Sequence, residues 1–104
     1  MVTKYRAQRV TIDGISFASK KEATRYCQLC LLQKSKLISN LTLQPKFPFI
    51  INGIKVCSYI ADFKYIDNNG VEVVEDVKGY RTPVYKLKKK LLLALYKGIN
   101  FKEI

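Results

Sequence analysis

Apolar and polar residues alternate from Val10 to Phe17 about Asp13-Gly14, a dipeptide suited to the positive φ angles of a tight turn, and this predicts a small β-ribbon. The ribbon leads into Ser19-Lys20-Lys21-Glu22, which has the spacing of a capping box. Ala23, Tyr26, Cys27, Cys30 and Leu31 follow at helical intervals, so a helix is expected to about Lys34, with the two cysteines as small apolar residues on its buried face. Leu41 to Ile51 is apolar and β-branched or aromatic, but Pro45 and Pro48 cannot donate to a ladder and push it toward a sheet edge. Asn52-Gly53 turns the chain into a long strand pattern, Ile54 to Ile66. Asp67-Asn68-Asn69-Gly70 turns it again into Val71 to Lys78, and the three strands make a meander. Thr82-Pro83 supplies a cap and a first-turn proline for a second helix, whose stripe is Val84, Leu87, Leu91 and Leu95 before Gly98. Phe101 to Ile104 reads as a last strand.

The expected fold is α/β in the wide sense (α+β), one domain over residues 1–104. A short hairpin precedes a mixed central sheet in the order helix, three antiparallel strands, helix, strand, with the helices free to cover the sheet faces. The 104 residues, 48% hydrophobic and 26% charged, match an ordinary folded domain. A chain of this size buries roughly two thirds of its unfolded surface and needs neither metal nor disulfide to fold. The longest apolar run, Leu91 to Tyr96, is far below the ~18 residues of a membrane span, and Met1 to Val10 has no apolar signal core. No membrane partner and a cytoplasmic location are therefore expected.

Charge narrows the partners. Nineteen Lys and Arg against eight Asp and Glu give +11, an excess best explained by a polyanion, and nucleic acid leads. The cations are spread along the chain rather than gathered in one amphipathic cluster, which sets a membrane surface well behind. The absence of histidine excludes Ser/His/Asp and Cys/His catalysis and His-ligated zinc. Cys27-x-x-Cys30 has only Cys57 besides it, too few thiols for a four-ligand site, and an odd count fits a reducing compartment better than a disulfide framework.

Against this charge, acids within apolar strands carry information. Asp62 lies in Tyr59-Ile60-Ala61-Asp62-Phe63 and Asp76 in Val74-Glu75-Asp76-Val77-Lys78, where alternation puts Asp76 and Lys78 on one face and Glu75 on the other. A two-residue loop would pair Asp62 with Val77. A three-residue loop, Asn68-Asn69-Gly70 with Gly70 left-handed, instead pairs Asp67 with Val71 and Asp62 with Asp76, their Cβ atoms about 5 Å apart, and this register is the expected one. Two carboxylates so close call for a cation between them. Hard oxygen ligands favour Mg²⁺ or Mn²⁺, and Lys78 could then hold an attacking water or stabilise charge on a reacting phosphate. On spacing alone, Asp76 with Lys78 reads first as a solvated ion pair and Glu22 still more strongly as a helix cap, while the Lys86, Lys89, Lys90 and Lys97 face is as readily a solvated surface as a phosphate track.

Glu22, Asp62 and Asp76-Val77-Lys78, taken in order, resemble the PD-(D/E)XK nuclease superfamily and its α-β-β-β-α-β core. Asp13-Gly14-Ile15, Ser19-Lys20-Lys21-Glu22-Ala23, Leu43-Gln44-Pro45-Lys46-Phe47, Tyr59-Ile60-Ala61-Asp62-Phe63 and Val74-Glu75-Asp76-Val77-Lys78-Gly79 resemble, more closely, a family of small phage and prophage proteins with nuclease or Holliday-junction-resolvase character. The resemblance spans about Lys4 to Ile104. It implies that Asp62, Asp76 and the carbonyl of Val77 bind the catalytic Mg²⁺ or Mn²⁺, that Lys78 positions or activates water, and that Glu22 joins them. Gln44 and Glu75 stand beside the site, and Ala61 replaces the superfamily's proline. The expectation is a metal-dependent DNA endonuclease acting on branched DNA such as four-way junctions, as a homodimer, with Lys20, Lys21, Arg81, Lys86, Lys89 and Lys90 on DNA. The alternatives are a nicking or restriction-like enzyme on duplex, and a non-catalytic nucleic-acid-binding module.

Overall fold

Asp13-Gly14 and Asn52-Gly53 both hold the left-handed backbone that a two-residue hairpin loop requires, with φ of 54° and 76° in the first pair and 52° and 77° in the second. The computed structural model describes residues 9–77 and 81–104. The first turn joins β1 (Val10–Ile12) to β2 (Ile15–Phe17). Ser19 then caps α1 (Lys20–Lys34), its hydroxyl accepting the Glu22 N–H at 3.1 Å.

Next come β3 (Ile38–Leu43), β4 (Lys46–Ile51), β5 (Ile54–Ile60), β6 (Phe63–Asp67) and β7 (Glu72–Asp76). The third turn is the expected three-residue loop. Gly70 has φ 80°, the Asp67 N–H donates to the Val71 carbonyl at 2.9 Å, and β6 pairs with β7 from Phe63↔Glu75 to Ile66↔Glu72. Thr82 caps α2 (Pro83–Leu95), and β8 (Asn100–Glu103) runs parallel to β7. The result is a mixed α+β fold with a mostly antiparallel four-stranded sheet, β3-β6-β7-β8, and two further two-stranded pairings, β1-β2 and β4-β5.

The two long strands expected over Leu41–Ile51 and Ile54–Ile66 are each broken. Leu43↔Phe63 and Lys46↔Ile60 continue one register, bridged by Gln44 N–H to the Asp62 carbonyl (2.9 Å) and Ala61 N–H to the Pro45 carbonyl (3.1 Å). The pairs β3-β6 and β4-β5 are therefore one antiparallel ribbon bent in the middle. Gln44 supplies the bend with a left-handed φ of 51°, and Pro45, lacking an N–H, has no donor to lose there.

Successive residues of β7 serve two cores, because a strand's side chains alternate between sheet faces. Val73 joins Phe17, Ala23, Leu29, Ile38, Phe63 and Tyr65 on the α1 side. Val74 joins Phe47, Phe49, Tyr59, Ala61, Tyr85 and Leu92 on the α2 side. The helices thus cover the two faces, but their phases differ from the expected ones. Of the α1 stripe, Ala23 is buried and Tyr26 packs on the core as expected, but Cys27 is exposed, Cys30 only half-buried and Leu31 66% exposed, while Glu22 and Leu29 face inward. In α2 the expected stripe packs on the core only at Leu91 and faces out at Val84 (63% exposed), Leu87 (60%) and Leu95, whereas Tyr85 and Leu92 are buried. Polar anchors set this second phase: Lys88 Nζ donates to the Ser58 carbonyl (2.9 Å) and the Tyr96 hydroxyl to the Pro48 carbonyl (2.6 Å). The three cysteines are free thiols. No described helix is long and apolar enough to cross a membrane.

The phase of α2 can be checked by mutation. Leu92→Ala is expected to cost about 3 kcal/mol of unfolding free energy in urea, as for a fully buried leucine, whereas Leu87→Ala should stay within about 0.5 kcal/mol.

Candidate active site

The bend in the ribbon opens a cleft. Glu22, Gln44 and Asp62 line it together with Ile15, Ser16, Phe17 and Leu43, around a volume of about 260 Å³. Each polar residue arrives by a local device. Glu22 stands in the first turn of α1, where the cap places it, and is 9% exposed. Gln44 is held at the kink by its left-handed backbone and stays exposed. Asp62 lies just outside β6, and its N–H reaches the carbonyl of Glu75 (3.2 Å), the residue already paired with Phe63. Two consecutive residues facing one partner is the pattern of a β-bulge, which re-aims the extra residue's side chain. The Asp62 carboxylate accordingly accepts the Val77 N–H at 2.7 Å, beyond the end of β7.

The structure thus brings Glu22, Gln44 and Asp62 to one cleft and ties Asp62 to Val77. Asp76 is placed differently. Continued by one residue, the observed register would set Asp62 against Asp76, but the bulge takes Asp62 out of the ladder there. Asp76 follows Val74 on the α2 face and is fully buried. Its carbonyl accepts the Ile104 N–H (2.9 Å), it is paired in register with Glu103, and its charge adds to the burial and the Glu103 contact that push the Tyr85 hydroxyl's pKa up. Among the described residues no three of His, Cys, Asp and Glu gather to hold one ion. Lys78 lies outside the described residues.

Glu75 faces α1, opposite to Asp76, and is fully buried. Arg25 grips it from α1 in a two-pronged contact, Nε to Oε1 at 2.7 Å and Nη2 to Oε2 at 2.6 Å, and the Tyr65 hydroxyl also donates to Oε2. The contact raises the Arg25 pKa, and burial, with Glu75 beside it, pushes the Tyr65 hydroxyl up. Arg25 is three residues after Glu22, on the same side of the helix, so the grip on Glu75 also fixes the turn that carries Glu22. Sequence reading missed Arg25 and Tyr65. The available signal was Glu75 itself, an acid next to Val73 and Val74 whose face alternation had set opposite to Asp76.

The expected DNA-contacting residues form two groups. Lys20 and Lys21 are exposed at the start of α1, beside Glu22. Arg81, Lys86, Lys89 and Lys90 line a second cleft, of about 330 Å³, with Tyr85 and Glu103. Glu103 accepts from Arg81 Nη2 (3.1 Å) and from the Tyr85 hydroxyl, and Lys89 Nζ lies 3.5 Å away. Arg81 first, then Tyr85, lower the Glu103 carboxyl to a pKa of about 2.

A family model described as protein of unknown function (DUF1064) matches residues 2–104. No curated protein and no solved structure matches the chain.

Two outcomes follow from these contacts. Arg25→Ala leaves a buried carboxylate without its cation and should lower the unfolding free energy by about 3–5 kcal/mol in a denaturant titration, with Arg25→Lys recovering part of the loss. Glu103 titrates near 2 when folded against an ordinary 4.5, so its stabilising contribution is complete above pH 4.5 and fades as pH falls toward 2. Thermal melts of wild type and Glu103→Gln should therefore differ by a constant gap from pH 7 to 5, which narrows below pH 4.5 and closes only as pH falls through about 2.

Proposed function

The chain belongs to the DUF1064 family, and we propose that it is a metal-dependent DNA endonuclease of the PD-(D/E)XK kind, acting on branched DNA such as four-way junctions. One observation carries this reading: the Asp62 carboxylate, turned out of its strand by a bulge, sits in a cleft with Glu22 and Gln44 and is fastened to the backbone of the Asp76-Val77-Lys78 motif. The order of elements supports it, since α1, the bent ribbon, β7, α2 and β8 follow the α-β-β-β-α-β order of that superfamily's core. The net charge of +11 supplies the affinity for a polyanion.

The donor set fits a hard divalent ion. Asp62 and Glu22 offer carboxylate oxygens and Gln44 an amide oxygen, and Mg²⁺ characteristically takes one or two carboxylates while keeping several waters. When bound, Mg²⁺ or Mn²⁺ supplies charge neutralisation at the scissile phosphate and lowers the pKa of a water. The chain's own residues do the remainder. Asp62 and Glu22 fix the cleft's negative end, Val77 orients Asp62 through its N–H, and Gln44 closes the wall. Lys78 is assigned as the group that positions the water on the resemblance of Asp76-Val77-Lys78 to the superfamily motif; the same resemblance alone assigns Asp76 as the second carboxylate, against its burial on the α2 face. Coordinated cutting of two strands needs two sites, hence a homodimer, acting in the cytoplasm and, if phage-encoded, in that of the host cell. A duplex-nicking enzyme shares the same site. The placement of Asp76, fully buried on the α2 face and away from the cleft that holds Asp62, counts against both enzymes and favours a basic nucleic-acid-binding module without catalysis.

Cleavage of end-labelled four-way junction, duplex and single-stranded DNA with Mg²⁺, Mn²⁺ or EDTA separates these. The nuclease reading expects metal-dependent cutting that is strongest on the junction, and a loss of about a hundredfold or more in Asp62→Ala and Asp76→Ala with DNA binding retained. Equal cutting of duplex selects the nicking enzyme. Binding without cutting under every metal selects the module.

A further inference from the structure

The cleft between α2 and the end of β8 combines charges in an unusual proportion. Lys86, Lys89 and Lys90 are spaced three and four residues apart, so they share one face of α2, and Arg81 adds a fourth cation just before the helix. Among the described residues lining the cleft, Glu103 is the acid that faces them. Arg81 and Lys89 are both engaged by it, while Lys86 and Lys90 pair with no carboxylate among the described residues. Glu103 is itself paired in register with Asp76, at the end of β7 that carries the proposed catalytic motif. Its carboxylate stays charged throughout the neutral range, with Tyr85 donating to it from the buried side.

We propose that this cleft is a subsite for a backbone phosphate of the DNA, and that the Glu103 carboxylate occupies the anion's place among the cations and competes with the phosphate for them. The proposal rests on the reading of the chain as a DNA nuclease and adds to it a second contact and a built-in limit on affinity. A phosphate meeting Arg81, Lys86, Lys89 and Lys90 releases counterions from the DNA, so the subsite contributes to the salt dependence of binding. Glu103 cancels part of that contribution by holding two of the four cations. The arrangement tempers retention on plain DNA, where backbone charge alone would hold a chain of +11.

The test is fluorescence anisotropy of a labelled four-way junction and a labelled duplex in EDTA, which prevents cutting, over a range of NaCl concentrations. Lys86→Ala/Lys90→Ala is compared with Lys34→Ala/Lys36→Ala, which removes the same charge from exposed positions at the far end of α1. The α2 pair is expected to weaken binding about tenfold near 100 mM salt and to make the log–log salt slope shallower by about 2, and the α1 pair to change affinity less than about twofold. Glu103→Gln, its fold checked by circular dichroism, is expected to bind at least about threefold tighter with a steeper slope. Equal losses in the two lysine pairs would show a response to net charge alone and overturn the subsite, as would unchanged or weaker binding by folded Glu103→Gln. Should Glu103→Gln fail to fold, the lysine pairs decide by themselves. Metal-dependent cutting by the wild type alongside equal lysine pairs overturns the subsite and leaves the nuclease reading standing, whereas no DNA binding by the wild type overturns both.

Discussion

Glu75 has no exposure at all, and a carboxylate taken fully out of water must be answered by charge and hydrogen bonds from within the protein. Arg25 and Tyr65 give that answer, and the answer has a geometry. A guanidinium that meets both carboxylate oxygens admits little rotation, so α1 can dock on the sheet in essentially one phase. That phase turns Leu29 into the core, leaves Cys27 and Leu31 outside, and sets Glu22 on the wall of the cleft. One buried ion pair thus links the folding of the α1 layer to the position of a candidate functional carboxylate.

The second constraint is the bend in the β3-β4/β5-β6 ribbon. A straight ribbon would present Asp62 as one more alternating strand residue. Here Gln44 takes a left-handed backbone, and Asp62, still bonded to Gln44 across the ribbon, bulges out of the β6–β7 ladder, so both side chains reach the same opening. Backbone of this kind costs free energy, of the order of 1 kcal/mol for a non-glycine left-handed residue, and it persists because the flanking pairs hold one register across the break. The strain at Gln44 and the bulge at Asp62 coincide with the cleft on which the functional reading rests.

Much of this was legible beforehand. Both helix caps, the two Asx-Gly hairpins and the three-residue loop at Gly70 follow from local chemistry: a side-chain oxygen three residues before an N–H, or a residue that tolerates positive φ. Those same features gave the order of elements and the register of β6 on β7. The apolar stripes misled because they count hydrophobicity, whereas α2 docks by burying Tyr85 and Leu92 and satisfying Lys88 and Tyr96 with carbonyls. Of the residues expected at the site, Glu22, Gln44 and Asp62 come together, Val77 joins through its N–H, Asp76 is buried on the other face, and Glu75 is committed to Arg25.

The sequence by itself determined where elements begin, end and turn, and how much positive charge the chain carries, because these depend on neighbours along the chain and on composition. Only the tertiary structure decided which face of each helix is buried, where the ribbon bends, and that a carboxylate from β8 stands among the cations of α2. Those outcomes depend on pairing between residues far apart in sequence, Arg25 with Glu75 and Arg81 with Glu103, whose worth is set by burial. Burial is a property of the assembled fold, and no local pattern encodes it.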